Sequence, residues 1–361
     1  MKIAQVAPLW ERVPPPAYGG TELVVGLLTD ELVRRGHEVT LFASGDSVTL
    51  AKLEAVHPRA IRLDPGVKEY SIYEMLQLSQ VYERAEEFDI IHSHMGYAAL
   101  PYAKMVQTPT VHTLHGIFTK DNEKMFTYAK HQHYVSISDA QREPRLGLNC
   151  VATVYNGIDI DSHTFHAQPQ QPPYLAFLGR MSPEKGPHLA IEIAKKSGWL
   201  LKMAGKVDVV DKDFFEQEVE PHIDGKQIEY LGEASHTEKN ELMGGAIATL
   251  FPITWREPFG LVMVESMAAG TPVIAMNLGS APEVINPGVS GFLCNSVDEC
   301  ISYIDKAAQL DRHTVREYVS QQFSAKKMAD GYEEVYRQIL AEKFAQNGHL
   351  RGQAISNFSY N

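Results

Sequence analysis

Short apolar segments alternate with stretches of helical periodicity along most of the chain, and this alternation constrains the fold more than any other feature. The pattern is typical of a parallel sheet covered by helices, so it predicts an α/β fold. A first series of expected strands comprises Lys2–Ala7, Glu38–Ala43, Ile90–His94, Thr110–Leu114, Tyr134–Ser138 and Thr153–Tyr155, with a helix at Thr21–Arg35. A second series comprises Tyr174–Leu178, Leu200–Ala204, Ile228–Leu231, Thr249–Ile253, Pro272–Ala275 and Gly291–Cys294.

The segment Ala167–Pro173 separates the two series, because it is polar, rich in proline and without periodicity, as expected of an interdomain linker. A chain of 361 residues is long enough for two domains of ordinary size. We therefore predict a first domain over residues 1–166 and a second over 174–323. Apolar residues at helical spacing then predict a long amphipathic helix over Ser324–Lys343, in a C-terminal segment 324–345, and polar residues after about 345 are expected to be loose.

Composition narrows the range of partners and compartments. The net charge of −12 favours neither a nucleic acid nor an anionic lipid surface as partner. The three cysteines, Cys150, Cys294 and Cys300, have no metal-ligand spacing and are expected to be structural thiols of a reducing compartment. No apolar run reaches the roughly 18 residues of a membrane span, and the N-terminus leads directly into a strand. These features predict a cytoplasmic protein without stable membrane insertion.

The segment Arg256–Glu265 is the strongest indication of function. Pro258 is expected in the first turn of a helix, and Gly260 leaves the backbone open to close approach. The N–H groups of Phe259, Gly260 and Leu261 would then face a ligand, and a helix start suits an anion such as a diphosphate. Glu257 and Glu265 flank that start and can accept hydrogen bonds from hydroxyls at two ends of one elongated ligand. The pattern indicates a nucleotide-sugar site, whereas a solitary pair of glutamates would more often be a dipole partner and a solvated helix residue.

Five motifs in one order now give the chain a specific resemblance to the retaining family 4 glycosyltransferases of the GT-B class. The motifs are Tyr18–Glu22, Thr113–Gly116, Asn156–Asp159, Gly179–Gly186 and Glu257–Glu265. The resemblance covers residues 1 to about 340. It implies two Rossmann-like doubly wound domains, the first on the acceptor side and the second binding the nucleotide sugar, with a C-terminal helix that packs back toward the first.

The resemblance also implies roles for residues that their position alone leaves open. Gly19 and Gly20 open the first helix, where backbone N–H groups can meet the donor diphosphate, although an ordinary βα turn has the same glycines. Gly179, Arg180 and Lys185 follow the first strand of the second domain, and the two cations would stabilise the departing diphosphate.

A histidine near the donor sugar is also implied. Position alone does not choose among His92, His94, His112 and His115, and the resemblance selects His115. His92 and His94 share one face of a strand, but no acidic or cysteine ligand completes a set, so we expect neither a metal nor a cofactor.

The nucleotide base should contact the loops at Lys206 and Leu231. Relatives usually carry a further glycine after Gly205, and this departure leaves the identity of the base open. The acceptor should contact the loops Trp10–Tyr18 and Ile117–Met125, whose residues do not identify it as a glycan or a small molecule.

Together these inferences predict a metal-independent hexosyltransferase that retains the anomeric configuration, with a UDP-sugar favoured over a GDP-sugar. The catalytic set would be His115, Glu257, Arg180 and Lys185. A GT-B nucleotide-sugar epimerase and a non-catalytic nucleotide-sugar-binding partner are the alternatives. An NAD oxidoreductase is disfavoured because the first βα turn lacks Gly-x-Gly-x-x-Gly.

Overall fold

Two parallel sheets, of seven and six strands, organise residues 1–16 and 19–358, which are the part of the chain that this computed structural model describes; side chains are described to residue 345. The first sheet contains β1 Lys2–Val6, β2 Glu38–Phe42, β3 Lys52–Glu54, β4 Ile90–Ser93, β5 Thr110–Leu114, β6 His133–Ser136 and β7 Cys150–Thr153. The second contains β8 Tyr174–Leu178, β9 Leu200–Ala204, β10 Ile228–Tyr230, β11 Ala248–Phe251, β12 Val273–Met276 and β13 Gly291–Cys294.

The strand orders confirm two doubly wound sheets. They run β3-β2-β1-β4-β5-β6-β7 in the first sheet and β10-β9-β8-β11-β12-β13 in the second, and every pair of neighbours is parallel. The direction of winding reverses beside β1 and beside β8. Loops diverge at such a point, so the carboxyl ends of the strands there open a crevice in each sheet.

Helices cover both faces of each sheet, and their apolar sides form the cores. Their bounds are α1 Gly20–Arg34, α2 Tyr70–Glu83, α3 Leu100–Ala103, α4 Asn122–Tyr128, α5 Pro187–Ser197, α6 Lys212–Phe214, α7 His236–Gly244, α8 Leu261–Ala268, α9 Ala281–Val284, α10 Val297–Ala307, α11 Arg312–Gln322 and α12 Ala325–Phe358. In the second sheet, β8, β11 and β12 are buried throughout, as expected of strands covered on both faces.

Two expectations about strands differ from the structure. β3 is not predicted, because Lys52-Leu53-Glu54 is only three residues long and partly exposed at the edge of the sheet, which leaves almost no apolar signal. β7 lies at Cys150–Thr153 rather than at Thr153–Tyr155. Its residues are all half-buried, so no sharp apolar boundary marks where it begins and ends.

The chain passes between the lobes along two adjacent segments. The N–H of Ile158 donates to the carbonyl of Phe323 at 2.9 Å, and the N–H of Ala325 donates to the carbonyl of Ile158 at 2.9 Å. The N–H of His166 bonds the carbonyl of Ala269 at 3.0 Å, so the chain already contacts the second lobe before the proline-rich segment.

The last helix returns to the first lobe, as predicted. Tyr332 and Tyr336 of α12 are fully buried in the core formed with β1 and α1. α12 continues to Phe358, although the sequence predicts its end near Lys343. The polar composition of that stretch predicts exposure, and exposure by itself does not end a helix.

Cys294 and Cys300 form a disulfide with a Cα–Cα distance of 5.4 Å, so the expectation of free thiols is wrong for this pair. The end of β13 and the first turn of α10 bring the two residues together, which spacing alone does not reveal. Cys150 is free and half-buried. Within residues 1–16 and 19–358, no helix combines the length and the apolarity that a membrane crossing requires.

Candidate active site

A cavity of about 460 Å³ lies in the cleft between the lobes, at the carboxyl ends of strands from both sheets. This is where open α/β sheets bind ligands. All four residues predicted to be catalytic line it, together with five of those predicted to bind the donor. The lining residues are Gly20, Thr21, His115, Gly116, Ile117, Ile137 and Asn156 of the first lobe and Gly179, Arg180, Lys185, Trp255 and Glu257–Leu261 of the second.

Gly260 shapes the start of α8 at this cavity. Its φ of 77° is left-handed, and a Cβ there would lie 2.8 Å from Cζ of Phe251. A side chain is therefore excluded on two grounds. The helix begins at Leu261, so the expectation that Pro258 occupies the first turn is wrong, because the turn at Gly260 redirects the chain after Pro258. The first N–H groups of α8 nevertheless lie at the cavity and carry the partial positive charge of a helix start.

The two lobes approach each other closely in front of that helix start. Gly20 begins α1, and a Cβ on it would lie 3.2 Å from Cδ1 of Leu261. Gly19 precedes it with a φ of 137°, which favours glycine. The side chain of Phe259 is 2% exposed and packs in the core of the second lobe, so only its backbone is available to a ligand.

The sequence predicts separate contacts to the ligand for Lys185 and Glu257, but the two side chains form an ion pair at the cavity. The indole N–H of Trp255 also donates to Oε2 of Glu257, at 2.8 Å, and the Lys185 ammonium lies 5.0 Å from the centre of the Trp255 ring. These two donors fix the side chain of Glu257, which is 7% exposed. Trp255 was not predicted, although its position two residues before Glu257 marks it as a neighbour.

Arg180 lies among three carboxylates. It pairs with Glu184, and its guanidinium lies 3.3 Å from Asp211 and 3.5 Å from Asp208. Lys206 also pairs with Asp208, at 2.9 Å. Burial raises the pKa of Asp211, against the attraction of Arg180. These acids hold the two cations at the edge of the cleft.

Glu265 lies on α8, whereas Glu257 precedes it, and the two belong to different parts of the cleft. It lines a smaller cavity of about 110 Å³, which also contains Gly179, Arg180, Gly205 and Lys206. Glu257 and Glu265 thus address two ends of the cleft, with Gly179 and Arg180 shared between the two cavities. Leu231 lines neither cavity and is 53% exposed, so the structure does not bring it to the site.

His115 directly follows β5 and reaches the cavity from the first lobe. The side-chain amide of Gln141 donates to the carbonyls of Leu114 and Gly116, at 2.9 and 3.0 Å, and so fixes the backbone on both sides of His115. Burial lowers the pKa of His115 to about 4, so the ring is neutral at neutral pH. Gln141 lies far along the chain from this strand, and no local signal predicts it.

A third cavity, of about 290 Å³, adjoins the main one through Ile117, Trp255 and Pro258. It also contains Phe118, from the loop predicted to meet the acceptor, and Arg256. Trp10 of the other predicted acceptor loop is 49% exposed. Tyr18 lies outside the described residues.

The metal-ligand arrangement considered for His92 and His94 is not formed. In the described part of the chain, no group of three or more His, Cys, Asp or Glu side chains is arranged to hold a metal ion. Both rings instead form hydrogen bonds with neighbouring side chains.

Comparison with known proteins decides the family. The family model "Glycosyltransferase Family 4" matches residues 18–162, and the model "Glycosyl transferases group 1" matches residues 160–348, which is more than half of the chain. The chain belongs to the glycosyl transferases group 1 family. This group 1 glycosyltransferase is 26% identical over 407 residues to the glycogen synthase of Mycobacterium tuberculosis, with 93% of this chain and 94% of that protein covered.

Solved structures show the same fold. Sucrose-phosphate synthase from Thermosynechococcus elongatus matches with a TM-score of 0.78 at 18% identity, over 95% of this glycosyltransferase and all of that chain (100%). Anabaena Alr3699/HepE, solved in complex with UDP-glucose, matches with a TM-score of 0.67 at 19% identity, over 96% and 100%. Both matches confirm the predicted GT-B architecture of two lobes.

Proposed function

We propose that this glycosyltransferase moves a hexose from a UDP-sugar to an acceptor hydroxyl, with retention of anomeric configuration and without a metal ion. The observation that carries the proposal is the start of α8, which has Glu257 on one side and Glu265 on the other and faces Gly20 and His115 across the cleft. The UDP-glucose complex of the structurally similar Anabaena protein supports uridine as the base.

The diphosphate lies between the helix start and the cations in this proposal. Negative charge grows on it as the glycosidic bond breaks, and the N–H groups of Gly260, Leu261 and Gly20 would donate hydrogen bonds that stabilise this charge. Arg180 and Lys185 supply positive charge from the same lobe. A preorganised set of donors of this kind lowers the barrier to departure, and it is the reason we propose that no metal is needed.

The two glutamates hold the neutral ends of the donor. Glu257 accepts hydrogen bonds from hydroxyls of the hexose, and His115 contacts the same sugar from the first lobe. Glu265 accepts from the ribose hydroxyls in the smaller cavity, where Lys206 lies close to the base. The acceptor enters from the cavity that contains Phe118 and Arg256.

We infer retention because Glu257 is the one carboxylate, among the described residues, that lines the main cavity. Glu257 is already engaged by Lys185 and Trp255, which disfavours it as a nucleophile. The acceptor oxygen therefore bonds the anomeric carbon on the face from which the diphosphate leaves. The bonding electrons of the broken C–O bond go to the phosphate oxygen, which takes the acceptor's hydroxyl proton.

The test is a thermal-shift and turnover screen with UDP, GDP and ADP and their hexose derivatives, in EDTA. A shift of several degrees for the UDP series, lost in Glu265→Ala and kept in Glu317→Ala, supports the proposal; Glu317 is an exposed glutamate on α11. Release of UDP in EDTA supports metal independence, and NMR of the product's anomeric proton reports retention. No shift with any nucleotide contradicts the assignment of the donor site.

A further inference from the structure

A chain of buried hydrogen bonds leads from the cleft to the C-terminal helix. His115 Nε2 lies 2.8 Å from His94 Nδ1, and His94 Nε2 lies 3.0 Å from Gln5 Oε1. The amide nitrogen of Gln5 donates to the hydroxyl of Tyr336 at 3.2 Å. Gln5, His94 and Tyr336 are at most 4% exposed, so water does not compete for these bonds.

The chain continues beyond Tyr336. The hydroxyl of Tyr336 lies 2.6 Å from His92 Nδ1, and His92 Nε2 lies 2.7 Å from the hydroxyl of Thr113. That hydroxyl lies 2.9 Å from the hydroxyl of Tyr332, also on α12. Side chains from β1, β4, β5 and α12 therefore form one continuous network.

The direction of each bond follows from the chemistry of Gln5. An amide nitrogen can only donate and an amide oxygen can only accept. Tyr336 accepts from Gln5, so it donates its own proton to His92 Nδ1. His94 must donate from Nε2 to the oxygen of Gln5, and a neutral imidazole has one N–H, so His94 Nδ1 is an acceptor.

His115 is therefore the donor in its bond with His94. Its proton lies on Nε2, and its remaining ring nitrogen, Nδ1, carries a lone pair. Burial lowers the pKa of His94 well below its usual value and that of His115 to about 4, so both rings stay neutral at neutral pH. Rotation of the Gln5 amide by half a turn would reverse every bond in the network and would place a proton on Nδ1 of His115.

We propose that Tyr336, Gln5 and His94 are positioning residues that hold His115 as a hydrogen-bond acceptor, so that the donor sugar must present a hydroxyl to it. The inference rests on the proposed function and deepens it: the sugar hydroxyl that meets His115 donates its proton to the ring. A group that can only accept, such as a fluorine in place of that hydroxyl, has no proton to offer, and two acceptors would then face each other. A site built around one hydrogen bond rejects analogues that cannot form it by about 100-fold or more.

The first test reads the proton position directly and needs no turnover. Protein with 15N-labelled histidine is examined by long-range 1H–15N correlation NMR, with His115→Asn used to identify the His115 signals. The expected result at neutral pH is a proton on Nε2 and none on Nδ1. A proton on Nδ1, or a charged ring, overturns the proposal.

Tyr336→Phe tests the remote end of the network, and Tyr134→Phe is its matched control. Tyr134 is also fully buried in the first lobe, but its hydroxyl donates to the carbonyl of Ala129 at 3.0 Å, outside the network. We expect a mixture of His115 tautomers in Tyr336→Phe and the wild-type tautomer in Tyr134→Phe. An unchanged tautomer in Tyr336→Phe overturns the positioning role.

The kinetic test compares turnover of UDP-glucose with that of derivatives in which the hydroxyl at carbon 3, 4 or 6 of the glucose is replaced by fluorine, followed as release of UDP. We expect wild type and Tyr134→Phe to turn over one of these derivatives about 100-fold more slowly than UDP-glucose, and Tyr336→Phe to lose about tenfold of that difference. Equal turnover of every derivative by wild type contradicts the acceptor role of His115. Calorimetric binding of UDP alone tests the proposed function separately, because UDP does not contain the sugar that meets His115.

Discussion

Replacing Gly20 by alanine should raise or maintain stability while lowering activity. Gly20 is the first residue of α1 and is not among the glycines with positive φ, so alanine fits its backbone. Gly→Ala at a compatible position stabilises a protein by about 0.4–1 kcal/mol through the unfolded chain. For a chain of this size, that corresponds to a rise in Tm of at most about 3 °C. The new Cβ would lie 3.2 Å from Cδ1 of Leu261, whose half-buried side chain can move by the few tenths of an ångström required.

The expected loss of activity comes from contact between the same methyl group and the donor. In the proposed function, the donor diphosphate approaches the backbone at Gly20. A methyl group forces a phosphate oxygen back by roughly 0.5 Å, because a carbon–oxygen contact is longer than an N–H···O bond. Loss of one charge-assisted hydrogen bond costs about 1.5–3 kcal/mol, or about 10- to 100-fold in kcat/KM.

The assay pairs thermal unfolding with steady-state release of UDP from UDP-glucose. Gly26→Ala is the control, because Gly26 lies on the same helix and its Cβ would also come within 3.2 Å of an apolar side chain, that of Val13, outside the main cavity. We expect Gly26→Ala to keep its activity. If Gly20→Ala turns over donor within twofold of wild type, backbone approach at Gly20 is refuted. If the double variant Gly20→Ala/Leu261→Ala regains activity, the loss in Gly20→Ala is due to a change in the spacing of the lobes and not to blocked approach of the phosphate.

Three further outcomes follow from the structure. Lys185→Met should lower kcat about 100- to 1000-fold in steady-state assays, since it removes a cation aimed at the leaving group, whereas Lys195→Met on the exposed side of α5 should not. Arg312→Met should lower the free energy of unfolding in urea by about 2–4 kcal/mol, because this buried guanidinium donates to two main-chain carbonyls at 2.9 and 2.6 Å. Burial lowers the pKa of His112 to about 3 and of His115 to about 4, so below about pH 6.5 the unfolded chain binds protons that the folded chain does not. Stability should therefore fall by about 1.4 kcal/mol per pH unit for each histidine as pH drops toward those values, and urea unfolding at about pH 7.5 and pH 5 measures it.

The sequence predicts the sheets well because their strands carry a strong local signal. β8 and β9 have the predicted bounds, since β8 is a fully buried apolar run and β9 is apolar except for Lys202. β3 is missed because a short edge strand needs no apolar face. The start of α8 is misplaced because Gly260 adopts a left-handed turn, where a side chain would meet Phe251 of β11, and the local sequence does not show that Phe251 lies there.

Most residues predicted for the candidate site line its cavities, but their pairings are not predicted from the sequence. His115, Arg180 and Glu257 each lie in a contiguous motif, and the resemblance selects them. The contacts that determine their state come from elsewhere: Gln141 holds the backbone around His115, and Tyr336 lies 331 residues from Gln5 in the chain. Contacts of that separation form only when α12 packs on the first lobe, and periodicity carries no information about them.

The charge balance of the cleft supports the proposal that the donor carries a diphosphate. Arg180 and Lys206 share Asp208, and Lys185 shares Glu257 with Trp255, so each of these cations already has a carboxylate partner. A single weakly charged group would gain little by competing with those partners. A diphosphate brings at least two negative charges and meets the N–H groups of α8 at the same time, so it can share the cations without displacing their acids. After the glycosidic bond has broken, the same carboxylates repel the bound diphosphate. This repulsion favours release of the nucleotide product over a tight dead-end complex.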